Sequence, residues 1–453
     1  MKSYAGIRFI IMGLLALFLG ALMGLIGSIQ FVSPSWMDIL PFIKSRPLHV
    51  SLVVSWIFFV SIGGIYHYLT HYSGSPLRYP ALPSWHLGLM LATGSLILIS
   101  YITGTFGGRE YWEFPPWLAI PLILSWLMFL VNYFRTIGFS AAKWPVYYWM
   151  WATGIVFFLF TIIESYLWLF PWFGNNVLRD LTIQWKAYGA LVGSWNMLVY
   201  GTAIFIMEKS LGNDRLSRSS LAYAMFFLGF VNLLFGWGHH IYPLPVVKWI
   251  RILAYAISMT ELIILARLIY NWRAGLKISG ELKGLLYAKF LGAADQWIVL
   301  NLVLAILISI PAVNIFTHGT HITVAHAMGS TIGINSMILL ASVFFIILGA
   351  GVVISPFSKR LIILGFWITN ISLFFFWIFL ILAGIGKGFG MTGDHLDFRV
   401  VMERITPYMK SFAVSGAFLL TGLGLIIFPV INILLRLTDE TVRVQHPKKG
   451  SDE

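Results

Sequence analysis

The stretch that decides the fold is residues 320–354, THITVAHAMGSTIGINSMILLASVFFIILGAGVVI. It contains no Asp, Glu, Lys or Arg. A helix of about 20 apolar residues is enough to cross the hydrocarbon core of a bilayer, so this stretch predicts a transmembrane helix. Its first turns nevertheless carry histidines, and ionisable side chains inside a membrane are costly and by default mark functional sites.

Eleven further hydrophobic runs accompany this stretch. They lie near residues 7–32, 48–72, 85–104, 116–138, 147–170, 184–207, 221–242, 247–273, 287–313, 360–388 and 410–437. Of the 453 residues, 59% are hydrophobic and 10% charged, and the mean hydropathy is +0.85. An average soluble domain has about 45–50% apolar and about 25% charged residues. We predict an all-α polytopic membrane protein with about twelve transmembrane helices, one domain over residues 1–438, and a polar cytoplasmic tail over residues 439–453.

The basic residues predict the orientation in the membrane. The net charge is +13, but on so apolar a chain Lys and Arg act as topology signals, and we expect no nucleic-acid partner. Most of the 30 basic residues fall on the cytoplasmic side when the N-terminus is placed in the cytoplasm. The positive-inside rule therefore predicts that both termini are cytoplasmic.

The absence of cysteine restricts the chemistry. The chain has no Cys, which excludes disulfides, thiolate metal sites, iron–sulfur clusters and a haem attached covalently through Cys-x-x-Cys-His. Any metal must be held by His, Met, Tyr, Asn or carboxylate side chains.

Four histidines lie at the ends of predicted helices. His49 opens the second helix, His239 and His240 close the seventh, and His326 lies in the first turns of the tenth. With the predicted orientation all four lie toward the outer leaflet, although they are far apart in sequence. Convergence at one depth predicts a buried site, and a set of imidazoles suits haem iron, non-haem iron or copper.

Helix geometry refines this prediction. Residues i and i+2 of a helix point about 200° apart, so His326 and Met328 face opposite sides of the tenth helix. Both are side chains that bind haem iron as axial ligands, and one helix could therefore hold two haems. His239 and His240 are about 100° apart on a helix and can both reach one metal.

Five segments around these residues resemble one family. The chain is similar over nearly its whole length to the large, catalytic subunit of cytochrome c-dependent nitric oxide reductase, within the haem–copper oxidase superfamily. The resemblance rests on Arg46-Pro47-Leu48-His49, Gly108-Arg109-Glu110-Tyr111-Trp112-Glu113, Gly236-Trp237-Gly238-His239-His240, Glu261, and Thr317-His318-Gly319-Thr320 followed by Thr323-Val324-Ala325-His326.

The resemblance implies two non-covalent b haems in a respiratory oxidoreductase. It implies that His49 binds the low-spin haem and that His326 binds the high-spin, catalytic haem. It further implies a non-haem iron or other metal at His239 and His240. The reaction is the reduction of two NO to N2O with two electrons and two protons.

The resemblance also implies roles around these centres. Glu110 would bind a calcium ion that bridges the haem propionates, and Arg109 in the same loop would contact the cofactor. Glu261 would lie near the catalytic iron and act as a proton donor. A membrane-anchored cytochrome c subunit would deliver the electrons, and the protein would lie in the lipid bilayer of a prokaryotic inner membrane.

The sequence departs from the family at four positions. Met328 stands where the family has the second low-spin haem ligand, a His, so we predict a His49/Met328 haem. Tyr188 aligns with the third metal ligand, also a His, and either binds the metal as a catalytic phenolate or replaces a lost ligand. Val192 and Asn196 align with two functional glutamates of the sixth helix.

Two alternatives follow from these departures. The chain could be a degenerate family member that carries electrons or binds a gas through its haems without turning NO over. It could instead be a transporter with proton-gating histidines, but the sequence has no internal repeat of the kind that transporters show.

Overall fold

The structure, a computed structural model, describes residues 5–138, 140–242, 244–245, 247–257, 260–278 and 285–445. Within these residues twelve helical segments are long and apolar enough to cross a membrane, which confirms the predicted number. In chain order they are α1 (Gly6–Val32), α2 (Phe42–Tyr72), α3 (Leu82–Thr103), α4 (Pro116–Ile137), α5 (Val146–Leu169), α6 (Val177–Leu211), α7 (Ser220–Ile241), α8 (Lys248–Ile257 and Glu261–Ile278), α9 (Leu286–Ser309), α10 (His321–Gly349), α11 (Pro356–Gly393) and α12 (Phe398–Gln445).

Two helices extend well beyond their hydrophobic runs. α6 begins seven residues before the predicted start, because Asn176 caps it and its side chain accepts a hydrogen bond from the backbone N–H of Arg179 at 3.0 Å. α12 begins at Phe398 rather than near residue 410 and continues to Gln445. The first part of the predicted tail is thus helical, and residues 446–453 lie outside the described residues.

α2 and α10 run side by side in the same direction. Trp56 on α2 donates a hydrogen bond from Nε1 to Ser336 Oγ on α10 at 2.8 Å. Further along both helices, the hydroxyls of Tyr68 and Ser342 are hydrogen-bonded. These two contacts fix the relative height of the helices.

One end of the bundle collects most of the histidines. Phe31 at the end of α1 packs against His321 at the start of α10, with ring centroids 6.0 Å apart. Lys387 in α11 donates to the carbonyl of Gly319 just before α10, at 3.2 Å. Because successive spans alternate in direction, this end also holds the start of α2, the end of α7 and the loop between α3 and α4. We call it the histidine end.

α10 contains an irregular segment where α9 approaches closely. Residues Gly329–Ser336 form π-helical turns, which occur mostly at functional sites. A Cβ atom on Gly333 would lie 2.5 Å from the ring of Trp297, so this close approach requires glycine. The π-turns begin directly after Met328, and His321–Met328 is a regular α-helix.

Candidate functional site

His49 is fixed by a contact between α1 and α2. Its Nδ1 lies 2.7 Å from the carbonyl oxygen of Gly20, so Nδ1 carries the proton and donates it. Such a bond to a backbone carbonyl fixes the tautomer of a metal-binding histidine and leaves Nε2 with a free lone pair. The close approach of α1 depends on Gly24, where a Cβ atom would lie 2.7 Å from His49 Nδ1.

His49 and Met328 lie at the same height on neighbouring helices. His49 precedes Trp56 by seven residues and Met328 precedes Ser336 by eight. At 1.5 Å per residue His49 lies about 10 Å from the Trp56–Ser336 contact, toward the histidine end. Met328 lies on the same side of this contact at less than about 12 Å, because the π-turns between Met328 and Ser336 rise less per residue than an α-helix. The structure thus brings the two predicted low-spin ligands to one level.

His326 belongs to a second group of residues. It lies close enough to His239 and His240 to interact with both electrostatically. Its Nδ1 is buried and has no hydrogen-bond partner among the described residues. Because Met328 lies on the same regular helix two residues later, it points away from this group.

The histidine pair of α7 lies in a tight turn. Gly236–Ile241 is a 3₁₀-helix rather than an α-helix, so consecutive side chains diverge by about 120° instead of the expected 100°. The ring centroids of His239 and His240 are nevertheless only 4.1 Å apart. Trp185 of α6 stacks on His240 with centroids 4.8 Å apart and the planes 8° apart, which holds that ring in place.

His318 joins this pair from the loop before α10. Its ring lies 6.0 Å from that of His240 and 5.8 Å from Trp185, centroid to centroid. Burial lowers the pKa of His318, which keeps the imidazole neutral and able to bind a metal. Sequence reasoning gives this residue no role of its own, although its motif, Thr317-His318-Gly319-Thr320, adjoins the His326 segment.

Tyr188 contacts Trp185, the residue that stacks on His240, with the ring centroids of Tyr188 and Trp185 6.3 Å apart. Its ring packs against Tyr111 of the α3–α4 loop with centroids 4.8 Å apart, and its hydroxyl accepts a hydrogen bond from Gln184 at 3.1 Å. Among the described residues no three His, Cys, Asp or Glu side chains are arranged to hold a metal ion. The structure brings His239, His240 and His318 together as neighbours, and Tyr188 as a metal ligand stays a prediction.

Glu261 lies deeper in the bundle. Its side chain is 2% exposed, and Oε1 accepts a hydrogen bond from Asn232 of α7 at 2.8 Å. Asn196 of α6 lines the same small cavity and accepts a hydrogen bond from Asn335 of α10 at 3.0 Å. Val192, one turn earlier on α6, is partly buried against the apolar core.

The α3–α4 loop is held by ion pairs. Arg46, at the start of α2, forms ion pairs with both Glu110 and Glu113. Burial raises the pKa of Glu113, an effect that the charge of Arg46 opposes. Arg109 pairs with Asp180 at 2.7 Å, and its Nε is buried without a partner among the described residues. Arg109 thus has one donor free for an anionic group, whereas Glu110 is bonded to a guanidinium.

Comparison with known proteins identifies the family. Residues 4–419 match the family described as Cytochrome C and Quinol oxidase polypeptide I, the subunit I family of haem–copper oxidases. The chain belongs to this family. It is 24% identical over 449 residues to a subunit of the nitric oxide reductase of Stutzerimonas stutzeri, an alignment that covers 90% of each chain.

A solved structure supports the same fold. The chain superimposes on a haem–copper terminal oxidase, described as a dimer by cryo-electron microscopy, with a TM-score of 0.71 and 14% identity over 96% of this chain and 84% of that chain. Subunit I membership makes the protein an integral membrane oxidoreductase of respiratory type, and implies haem and metal cofactors.

The residues of the site are better suited to bind haem than to bind a second metal ion. His49, Met328 and His326 are half-buried, and Met328 packs in part against the apolar core. The proton position on His49 suits iron binding through Nε2. For the second metal, His239 and His240 are adjacent and His318 lies beside His240, but the described residues include no three His, Cys, Asp or Glu side chains already arranged to hold a metal ion.

Proposed function

We propose that the chain is the catalytic subunit of a nitric oxide reductase-like enzyme, with 2 NO + 2 e⁻ + 2 H⁺ giving N2O + H2O. The observation that carries this proposal is the arrangement around α10. His326 faces His239 and His240, while Met328, on the opposite side of the helix, is level with His49. One electron-transfer site and one reaction site are thus separated by a single helix.

The ligands are assigned accordingly. His49 and Met328 would hold a low-spin haem b, and His326 would hold a second, high-spin haem b. His239 and His240 would hold a non-haem iron. When bound, these groups supply the electron transfer and the binding of NO.

The protein's own residues position ligands and handle protons. Trp185 stacks on His240 and excludes water from one face of the pair. Glu261 lies buried, and among the described residues it forms no ion pair with a Lys or Arg. It is therefore placed to hold a proton in the interior and to donate it toward the reaction site.

The remaining assignments rest on the family likeness. Electrons would come from a membrane-anchored cytochrome c subunit that docks at the histidine end. That end would face the outside, with both termini in the cytoplasm of a prokaryotic cell, as the basic residues indicate. Arg109 would pair with a haem propionate through its free Nε. A calcium ion at Glu110 would have to displace or share the contact with Arg46.

A second candidate is favoured by one observation. Among the described residues no three His, Cys, Asp or Glu side chains are arranged to hold a metal ion, although His318 lies beside His240. An incomplete second metal site of this kind is expected of a degenerate subunit that holds haem and transfers electrons without NO turnover. If the enzyme is active, we expect turnover to be slow.

The test is anaerobic NO consumption by the purified, haem-loaded protein with an artificial electron donor, with N2O as the measured product. We expect one N2O for two NO, and a loss of rate on the order of 10²-fold in Glu261→Gln. The control is Glu403→Gln, which changes an exposed acid of α12. A protein with its full haem spectrum that yields no N2O would support the degenerate subunit.

A further inference from the structure

We propose that Tyr200 and Glu261 form one proton relay, joined through the small cavity that both side chains line between α6, α7 and α8. The relay rests on the proposed function and adds a residue to it. In this relay Tyr200 returns a proton to Glu261 after Glu261 has donated one.

The cavity is polar at one side and has room for about one water molecule. Its polar lining comes from four side chains on three helices, namely Asn196 and Tyr200 of α6, Asn232 of α7 and Glu261 of α8. A buried site of this size holds a water only where several polar groups converge on it. This site meets that condition.

Two of these groups lack partners. The hydroxyl of Tyr200 is buried and has no hydrogen-bond partner among the described residues. Glu261 Oε2 is likewise buried without a partner among them. Both side chains are 2% exposed. Buried polar atoms are almost always hydrogen-bonded, so two such atoms facing one cavity indicate that they bond to each other or through a water in it. They are close enough to interact electrostatically.

The other bonds of the cavity orient the pair. Asn232 donates to Glu261 Oε1 at 2.8 Å, which fixes that oxygen and turns Oε2 toward the cavity. Asn196, one helical turn before Tyr200, is held by Asn335. Thioethers of Met150, Met197 and Met225 complete the lining and offer only weak acceptors. The Tyr200 hydroxyl is therefore the only phenol or alcohol among the described lining residues.

The position along the helices gives the direction of transfer. α6 starts at the histidine end, and Tyr200 lies one turn beyond Asn196, away from the histidines. Asn232, which holds Glu261, lies on α7 seven residues before His239. Glu261 is thus the member nearer the reaction site, and Tyr200 is the member nearer the opposite end of the bundle.

The transfer leaves no charge on the phenol. The Tyr200 O–H bond breaks as its proton passes, directly or through the cavity water, to the carboxylate of Glu261. At the same time the phenol oxygen takes a proton from the cavity water, which is itself reprotonated from bulk water, so on Tyr200 one O–H bond is broken and one is formed. Glu261 is returned to its carboxylic acid form.

The first test is infrared spectroscopy of the resting, haem-loaded protein. The carbonyl stretching band of the protonated Glu261 is identified by its loss in Glu261→Gln. Tyr200→Phe removes only the hydroxyl, and we expect it to shift this band and to slow its exchange in D2O. Tyr166→Phe is the matched control, because Tyr166 also has a hydroxyl without a partner among the described residues but does not line the cavity.

An unchanged band and exchange rate in Tyr200→Phe would overturn the relay. If this variant fails to bind haem, Tyr200→Met removes the same O–H group and fills the space with a side chain that the cavity already contains. The readout does not depend on NO turnover. An NO-active protein with an unmoved band would contradict the relay alone, and a shifted band in a protein inert to NO would contradict only the proposed substrate.

The second test is kinetic. In a single turnover of the reduced protein, Tyr200→Phe should slow proton uptake at least about tenfold, as expected on loss of one proton-transfer group, with an unchanged haem spectrum. Equal proton uptake in Tyr200→Phe and in Tyr166→Phe would contradict the relay.

Discussion

Met328 is the residue at which the resemblance to nitric oxide reductase implies a histidine and this chain has a thioether. A thioether donates less charge to ferric iron than an imidazole, so a His/Met haem has a higher potential than a bis-His haem. The site holds Met328 level with His49 on a parallel helix. This arrangement suits a haem that accepts electrons readily and passes them on with less driving force.

We predict that Met328→Leu abolishes the low-spin ferric spectrum, including the weak sulfur-to-iron charge-transfer band at the red end of the visible range. Met328→His should keep a low-spin haem but lower its midpoint potential on the order of 0.1 V, a fraction of the range that axial ligands span. Optical spectroscopy and redox titration measure both effects.

The control is Met337→Leu, which changes a buried methionine further along the same helix and should leave the spectrum unaltered. A wild-type spectrum that is purely high-spin, unaffected by Met328→Leu, would show that Met328 only packs.

His318 and Tyr188 offer a contrast in the second metal site. His318 lies 6.0 Å from His240 between ring centroids, whereas Tyr188 packs on Tyr111. We predict that His318→Ala lowers the non-haem metal content by more than half and that Tyr188→Phe leaves it unchanged. Elemental analysis, normalised to haem, measures this difference. Metal loss in Tyr188→Phe with full retention in His318→Ala would instead identify Tyr188 as the third ligand.

Individual site residues were predictable to the extent that they lie in short motifs on regular helices. The opposite orientation of His326 and Met328 follows from helix geometry, because His321–Met328 is a regular α-helix. The placement of Tyr188 was not predictable, because it depends on packing against a loop distant in sequence. Tyr200 has no motif, and only the cavity reveals it.

At the scale of helices, the contact of α1 with α2 fixes the proposed haem ligand His49. A methyl group on Gly24 would lie 2.7 Å from His49 Nδ1, so the ring would have to move and lose its bond to Gly20. We predict that Gly24→Ala reduces low-spin haem occupancy and costs about 1–3 kcal/mol in stability, typical of overpacking. Haem spectra and thermal unfolding measure the two effects.

Gly88→Ala is the matched control, because α3 offers open space around this glycine. Alanine there should stabilise the helix by about 0.5–1 kcal/mol without a spectral change. Equal haem content in the two variants would contradict the assigned role of the α1–α2 contact.

The helices were predictable because each requires a long apolar run. The number of helices in the structure agrees with the prediction. The predicted and observed helices differ at their ends, where polar residues decide the boundary. The capping of α6 by Asn176 and the start of α12 at Phe398 both fall outside the hydrophobic runs. The 3₁₀ turn at His239 and His240 also was not predicted, since no periodic pattern distinguishes it from an α-helix in six residues.

At the scale of the whole molecule, twelve spans bring four separated segments to one end. His49, the His239–His240 pair, His318 and His326 come from α2, α7, the loop before α10 and α10 itself. The ion pairs of Arg46 and Arg109 tie the α3–α4 loop across the same end. This convergence supports the proposal that α10 offers a haem-binding face on each of two opposite sides.

The measurement that tests this arrangement most directly is the number of haems per chain. A pyridine haemochrome assay on the purified protein, with the polypeptide quantified independently, should give two b-type haems per chain, both extractable because the chain has no cysteine to bind them. One haem per chain, or none, would contradict the claim that α10 serves two haems through His326 and Met328.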